Sequence, residues 1–188
     1  MPIGKDNFAN LKPGTILADG DKIRTGSSGF TAIIFIDDKS TLKLKENSEA
    51  VITGQRSARS IAKKINMDVG TVRATVNKQN SNFVIQTPTS VASVKGTDFW
   101  MITDPIDGDL VIGLEGVVTL TNNETGAEVD VTEGTSGSST PDGDVDVEDT
   151  EESSIPEDPT DQDEQQAEIK IYFEGPNGEQ KVMIIEYE

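Results

Sequence analysis

Three aspartates in the segment TDPIDGDL, Asp104, Asp107 and Asp109, are the residues best suited to chemistry. Carboxylate oxygens suit Ca²⁺, which takes about six to eight oxygen ligands, but the spacing is not that of an EF-hand loop. An Asp-Gly turn between strands Phe99 to Thr103 and Leu110 to Gly113 explains the same residues without a metal, so no metal site is expected. Asp142, Asp144 and Asp146 also imitate a calcium loop, yet Val147 stands where such a loop requires glycine. The sequence has no histidine and no cysteine, which removes imidazole chemistry, thiolate zinc sites and disulfides. A carboxylate pair about 5 to 10 Å apart can hydrolyse glycosides, but one Trp and two Tyr do not suggest an aromatic-lined sugar cleft. Lys95 offers an amine that burial would make reactive. No Walker or Rossmann glycine loop is present, and the sequence predicts no catalytic residue and no cofactor.

One segment raises nucleic-acid binding. RSARSIAKKINMDVGTVRATVNK, residues 56 to 78, carries Arg56, Arg59, Lys63, Lys64 and Arg73, and places Ala62, Asn66 and Val72 near the small, turn and apolar positions of a helix-turn-helix. A DNA-binding regulator is therefore the alternative reading. Against it, Ile61, Ile65, Met67 and Val69 alternate with polar or small neighbours, as do Val72, Ala74 and Val76. Two period-2 stripes separated by Gly70 predict a pair of strands. A net charge of −18 also opposes contact with phosphates.

That charge divides the chain. Residues 1–134 carry net −3, residues 135–168 net −13 without one basic residue, and residues 169–188 net −2. The middle part offers only Val145, Val147, Ile155 and Ala167 to bury, too little to offset its ordering entropy. It is expected to be a disordered, self-repelling tether. Beyond it, Ile169, Ile171 and Phe173 alternate with polar residues, 175 to 178 form a turn, and Val182 to Tyr187 return as an apolar strand. A lone hairpin is marginal in water, so something must cover it. Ile169, Ile171, Phe173, Val182, Ile184 and Tyr187 are thus candidate contacts for the chain's own sheet or, by strand addition, for another chain.

Residues 1–134 read as short strands: 31–36, a DDKS turn, Leu42 and Leu44 alternating with Lys43 and Lys45, then 50–53, 61–69, 71–77, 83–86, 91–94, 99–103, 110–113, 117–121 and 128–131. This regularity predicts an all-β fold, an antiparallel sandwich or compact roll, followed by the C-terminal hairpin. No run approaches the roughly 18 apolar residues of a membrane span. MPIGKDNFAN lacks the basic flank and apolar centre of a secretion signal.

The most distinctive stretch is QTPTSVASVKGTDFW, residues 86–100. Pro88 cannot donate a ladder hydrogen bond and belongs at a strand entrance, whereas Gly96 marks a bulge or a close backbone approach. The stretch resembles the central signature of the FecR domain family, with Thr87, Pro88, Lys95, Gly96, Thr97 and Phe99 as its structural residues. LADGDKIRTGSSGFTAIIFIDDKSTLKLKENSEAVI is similar to that family's opening hairpins, and LEGVVTLTN and VTEGTSG to its closing strands. The resemblance runs from about residue 11 to 137. Lys95 stands where the family usually has arginine, so the resemblance implies a structural cation near a strand end rather than a reactive amine. Asp38 stands where the family has the turn glycine, a position Asp tolerates in left-handed backbone. The resemblance implies a non-enzymatic, extracytoplasmic module that senses or scaffolds through protein contacts, with strand edges and the hairpin as working surfaces. If the protein is exported, as the resemblance implies, its signal has been removed or lies outside this sequence. The sigma-factor-binding segment and membrane helix of typical members are not recognisable here, so transcriptional signalling is not carried over with the resemblance.

Overall fold

The computed structural model describes residues 8–56, 61–78, 82–160, 168–174 and 180–186. Its strands are β1 (Lys22–Arg24), β2 (Thr31–Ile34), β3 (Thr41–Leu44), β4 (Glu49–Arg56), β5 (Ile61–Val76), β6 (Phe83–Gln86), β7 (Ser90–Val94) and β8 (Thr97–Asp104). They continue as β9 (Gly108–Glu115), β10 (Val117–Asn122), β11 (Glu128–Thr132), β12 (Thr135–Ser139), β13 (Val145–Asp149), β14 (Glu168–Glu174) and β15 (Gln180–Glu186). The expected all-β sandwich is what forms. One layer runs β1-β4-β5-β6-β7-β10-β11 and the other β2-β3-β5-β8-β9-β12-β13. Every pairing is antiparallel except β5 with β6.

Alternation builds the core. Phe83 and Ile85, Ala92 and Val94, and Val118 and Leu120 point inward from one layer, and Leu42 and Leu44, Val72 and Ala74, and Phe99 and Met101 from the other. All belong to one apolar cluster, in which Leu42, Leu44, Val72 and Phe99 are fully buried.

β5 belongs to both layers. Its first half pairs with β4 and β6, and its second half with β3 and β8. The expected pair of strands on either side of Gly70 is therefore one strand of 16 residues, bent rather than reversed. Buried positions switch from odd (Lys63, Ile65, Met67) to even (Val72, Ala74, Val76) across the bend, and Val69 turns out to solvent. Asp68 is an extra residue in the ladder, since Met67 pairs with Ala50 and Val69 with Glu49. Such a bulge bends a strand. Gly70 sits at φ +125°, where a Cβ would strike Ser48, 2.5 Å from its Cα. The same strand removes the helix-turn-helix alternative: Lys63 and Arg73 serve ion pairs inside the fold, Lys64 is exposed, and Arg59 lies outside the described residues.

The segment expected to be a disordered tether also folds in part. β12 adds to β9, β13 adds to β12, and a short 3-10 turn follows at Glu152–Ser154. Counting apolar side chains underrates this region because backbone ladder bonds and small residues order it: Ser136 and Ser139 are buried. The C-terminal strands β14 and β15 pair with each other as a separate two-stranded sheet, with Ile169 opposite Ile185 and Ile171 opposite Met183. Tyr187 lies outside the described residues.

Candidate interaction surface

The Thr-Pro signature acts through a hydroxyl. Thr87 Oγ1 accepts from the backbone N–H of Thr89 and Ser90, at 3.0 and 2.8 Å, closing the turn between β6 and β7. It also donates to Asp109 Oδ2 at 2.5 Å, and the Ser90 hydroxyl donates to the same oxygen. Asp109 is on β9, so this buried triangle ties the two layers together at one end of the core. Sequence reasoning missed it, although inward parity on β9, where Val111 and Gly113 are also buried, is the signal that finds Asp109. The three aspartates do not converge. Asp104 Oδ1 accepts from the N–H of Ile106 and Asp107, which holds its carboxyl below the usual range, and Asp107 stays in that exposed turn. No cluster of three metal-ligating side chains occurs among the described residues.

Burial pushes the Asp109 carboxyl up, and the hydrogen bonds from Ser90 and Thr87 offset this only in part. Its Oδ1 and the Oγ1 of Thr103, its register partner, are buried without a hydrogen-bond partner among the described residues. A raised carboxyl takes up a proton on folding, so its contribution is most favourable below about pH 4 and falls as pH rises toward the folded value. Asp109→Asn keeps an acceptor for Thr87 and Ser90 and gains an N–H for Thr103. It is expected to match or exceed the parent at pH 7 by up to about 1 kcal/mol, whereas Asp109→Ala, which strands two hydroxyls, loses about 2 kcal/mol. Urea titrations of the three proteins at pH 4 and pH 7 measure both differences.

The other signature residues hold the corner where the chain passes from β7 to β8. Gly96 lies so close to Lys78 that a Cβ would come within 2.6 Å of its Cγ, Thr97 Oγ1 donates to the Val117 carbonyl at 3.1 Å, and Phe99 is in the core. Lys95 is exposed at this corner, not buried. In the DDKS turn the left-handed residue is Lys39, at φ +62°, not Asp38. The Asp38 carboxylate is occupied instead, accepting from Ser40 N–H at 2.9 Å and from Lys63 Nζ at 2.5 Å. A shallow groove beside Thr53, Gly54, Ala62, Lys64 and Gln86 holds a single carboxylate, Asp19, which accepts from Gly54 N–H at 2.8 Å.

A different surface is formed by the outer face of the second layer. Ala32, Lys43, Arg73, Trp100, Ile112 and Ser136 are successive register partners on β2, β3, β5, β8, β9 and β12. Trp100 and Ile112 are buried, yet they lie outside the inner apolar cluster. The strap of residues 150–160 is anchored at both ends of this row. It starts where the Thr150 and Ser136 hydroxyls meet at 2.7 Å, and ends where Asp158 binds Arg73 Nη1 at 2.7 Å and Lys43 Nζ at 2.8 Å. From β12 to β5 is three strand spacings, about 14 Å, so the direct path between the two anchors crosses β9 and β8, which carry Ile112 and Trp100. Arg73 also holds Asp98 with Nε and Nη2, at 3.1 and 2.8 Å, and lies 6.0 Å from the Trp100 ring centre.

Asp158 is 4 % exposed. Burial alone would raise its carboxyl, but hydrogen bonds from Lys43, Thr160 and Arg73 outweigh it and hold the group far below the carboxylate range. On Arg73, the bond to Asp98 above all holds the proton more firmly than usual. A depressed carboxyl stabilises fully above its unfolded value near about 4 and loses that contribution as pH falls below it. Asp158→Asn is therefore expected to lower stability by about 2 kcal/mol at pH 7, discounted because Arg73 and Lys43 keep water access, with the gap narrowing toward pH 2. Trp100 fluorescence during urea unfolding reads it.

Two crystal structures of a "putative anti-sigma factor" from Parabacteroides distasonis are similar in fold. They align with TM-scores of 0.59 and 0.56 at 14 % identity, covering 84 % of this chain and 69 % and 70 % of theirs. Among curated proteins nothing matches the sequence. The family described as FecR protein matches residues 21–135, which takes in β1 to β11, the Thr-Pro turn with its Thr87 hydroxyl, and the Gly96 corner. The chain belongs to the FecR protein family.

Proposed function

We propose that the chain is a non-enzymatic, extracytoplasmic module of a regulatory system, working by protein contact. It senses or scaffolds through its strand edges and its C-terminal hairpin. The family is regulatory rather than enzymatic, and the similar structures carry an anti-sigma factor description. The observation that carries the reading is the combination of a FecR sandwich with a C-terminal hairpin of apolar sequence whose strands, among the described residues, pair only with each other. None of the described helices is long and apolar enough to cross a membrane. The three aspartates serve a turn and an interlayer clasp, which fits a structural use of the family signature.

The reading is tested in cells lacking the protein. A discrete set of transcripts is expected to change, to be restored by a gene encoding all 188 residues, and to stay changed when Ile171→Pro and Ile184→Pro break the hairpin strands. A transcript profile that does not respond to the deletion would reject the regulatory assignment. Full rescue by the proline variant would remove the hairpin from it.

A further inference from the structure

Among the described residues, four strands form the edges of the main sheet: β1, β2, β11 and β13 each pair on one side only. Three are guarded by charge, with Lys22 and Arg24 on β1, Glu128 and Asp130 on β11, and Asp146, Glu148 and Asp149 on β13. Charged edges resist pairing with another strand. β2 has none. Its sequence from Phe30 to Ile36 is FTAIIFI, and Ile34 and Ile36 are 62 % and 76 % exposed. Phe35 exchanges backbone hydrogen bonds with the β3 side, its N–H reaching the Ser40 carbonyl at 2.9 Å and its carbonyl accepting from Lys39 N–H at 2.8 Å. Alternation then turns the N–H and C=O groups of Ala32 and Ile34 outward, away from β3.

The strap brings the chain to this edge. Asp158 is clamped on Lys43, whose register partner is Ala32 of β2, so the anchor lies one strand spacing, about 4.8 Å, from the open ladder. Only residues 161–167 separate Thr160 from β14, a reach of at most about 29 Å. That is enough for the hairpin to reach β2 and too little for it to wander far from this face. The hairpin needs a partner for stability, and β2 is the edge without protection.

The geometry points to β2 as the docking edge of the chain's own β14–β15 hairpin: a separate two-stranded sheet in this structure, the hairpin adds to the second layer as a strand in a docked state to which the Asp158 clamp delivers it. This rests on the reading of the hairpin and edges as working surfaces and names their resting arrangement: a contact partner has to displace the hairpin to use the edge. The sequence has no cysteine, so paired cysteines report cleanly.

Two measurements on the purified full-length chain test it. Amide exchange at Ala32 and Ile34 is expected to be at least about tenfold slower than in the chain carrying Ile171→Pro and Ile184→Pro. Equal rates overturn the docking. Second, Ile34→Cys is combined in turn with Lys170→Cys, Ile171→Cys, Met183→Cys and Ile184→Cys and treated with a short bismaleimide. A monomeric cross-linked product is expected for at least one pair. A dimeric product alone assigns the edge to a second copy, and no product leaves it unoccupied; either overturns the proposal. Neither readout needs a regulatory partner, so the docking can fail while the transcript response stands, and the reverse.

Discussion

Gly70→Ala is expected to lower stability by about 3 to 5 kcal/mol, enough to leave a domain of ordinary stability largely unfolded. Two costs coincide there. An L side chain is strained at φ +125°, and its Cβ would meet Ser48, including the backbone Cα at 2.5 Å. Ser48 has no room to retreat, because its Oγ accepts from Thr71 N–H at 3.0 Å and its carbonyl accepts from Thr25 N–H at 3.0 Å. Gly126→Ala is a fair control: it also has positive φ, but nothing lies within 4 Å of its Cβ position. It should cost only about 1 kcal/mol. Urea titrations of the two variants against the parent give the comparison, and equal losses would mean that backbone strain alone, not the corner, sets the cost.

Lys63→Ala is expected to cost about 3 kcal/mol or more. The Lys63 side chain is 1 % exposed and lies on the inward stripe of β5, with Nζ 2.9 Å from Asp37 and 2.5 Å from Asp38 and 5.3 Å from the centre of the Phe35 ring. Removing the ammonium leaves two carboxylates over the core's end, Asp38 at only 14 % side-chain exposure. Burial raises the Asp38 carboxyl, but the bonds from Lys63 and Ser40 bring it below its ordinary value. The stability it supplies is therefore present above about pH 4 and fades in acid. Lys63→Met combined with Asp37→Asn and Asp38→Asn should recover most of the loss, because a neutral set carries no unpaired charge. Chemical denaturation at pH 7 of the single and triple variants measures both steps. A triple variant as unstable as Lys63→Ala would show that packing, not charge, is what Lys63 supplies.

Alternation made most strands legible: 83–86 has the predicted bounds, and Leu42 and Leu44 are buried as their spacing requires. What alternation cannot distinguish is a glycine that reverses a chain from one that bends it. Both break the parity of buried residues, and the choice at Gly70 depends on β4 and β3 flanking β5 along its whole length, which is not local information. The strap was hidden for a different reason. Composition weighs apolar side chains, and residues 135–160 have few, but their order comes from ladder bonds to β9 and from one carboxylate matched to Lys43 and Arg73, 115 and 85 residues away in sequence. The signature at residues 86–100 located the Thr-Pro turn and the Gly96 corner. It did not reveal that Thr87 reaches across to Asp109, because a hydroxyl's partner in another layer leaves no trace in nearby sequence.

A strand common to both layers acts as a hinge pin welded at each leaf. Neither half of the sandwich can peel off alone, since loosening β5 on one side drags its continuation out of the other. The body should accordingly melt as a single foldon, and slow exchange should spread evenly along Ile65 to Ala74 instead of stepping down at the bend.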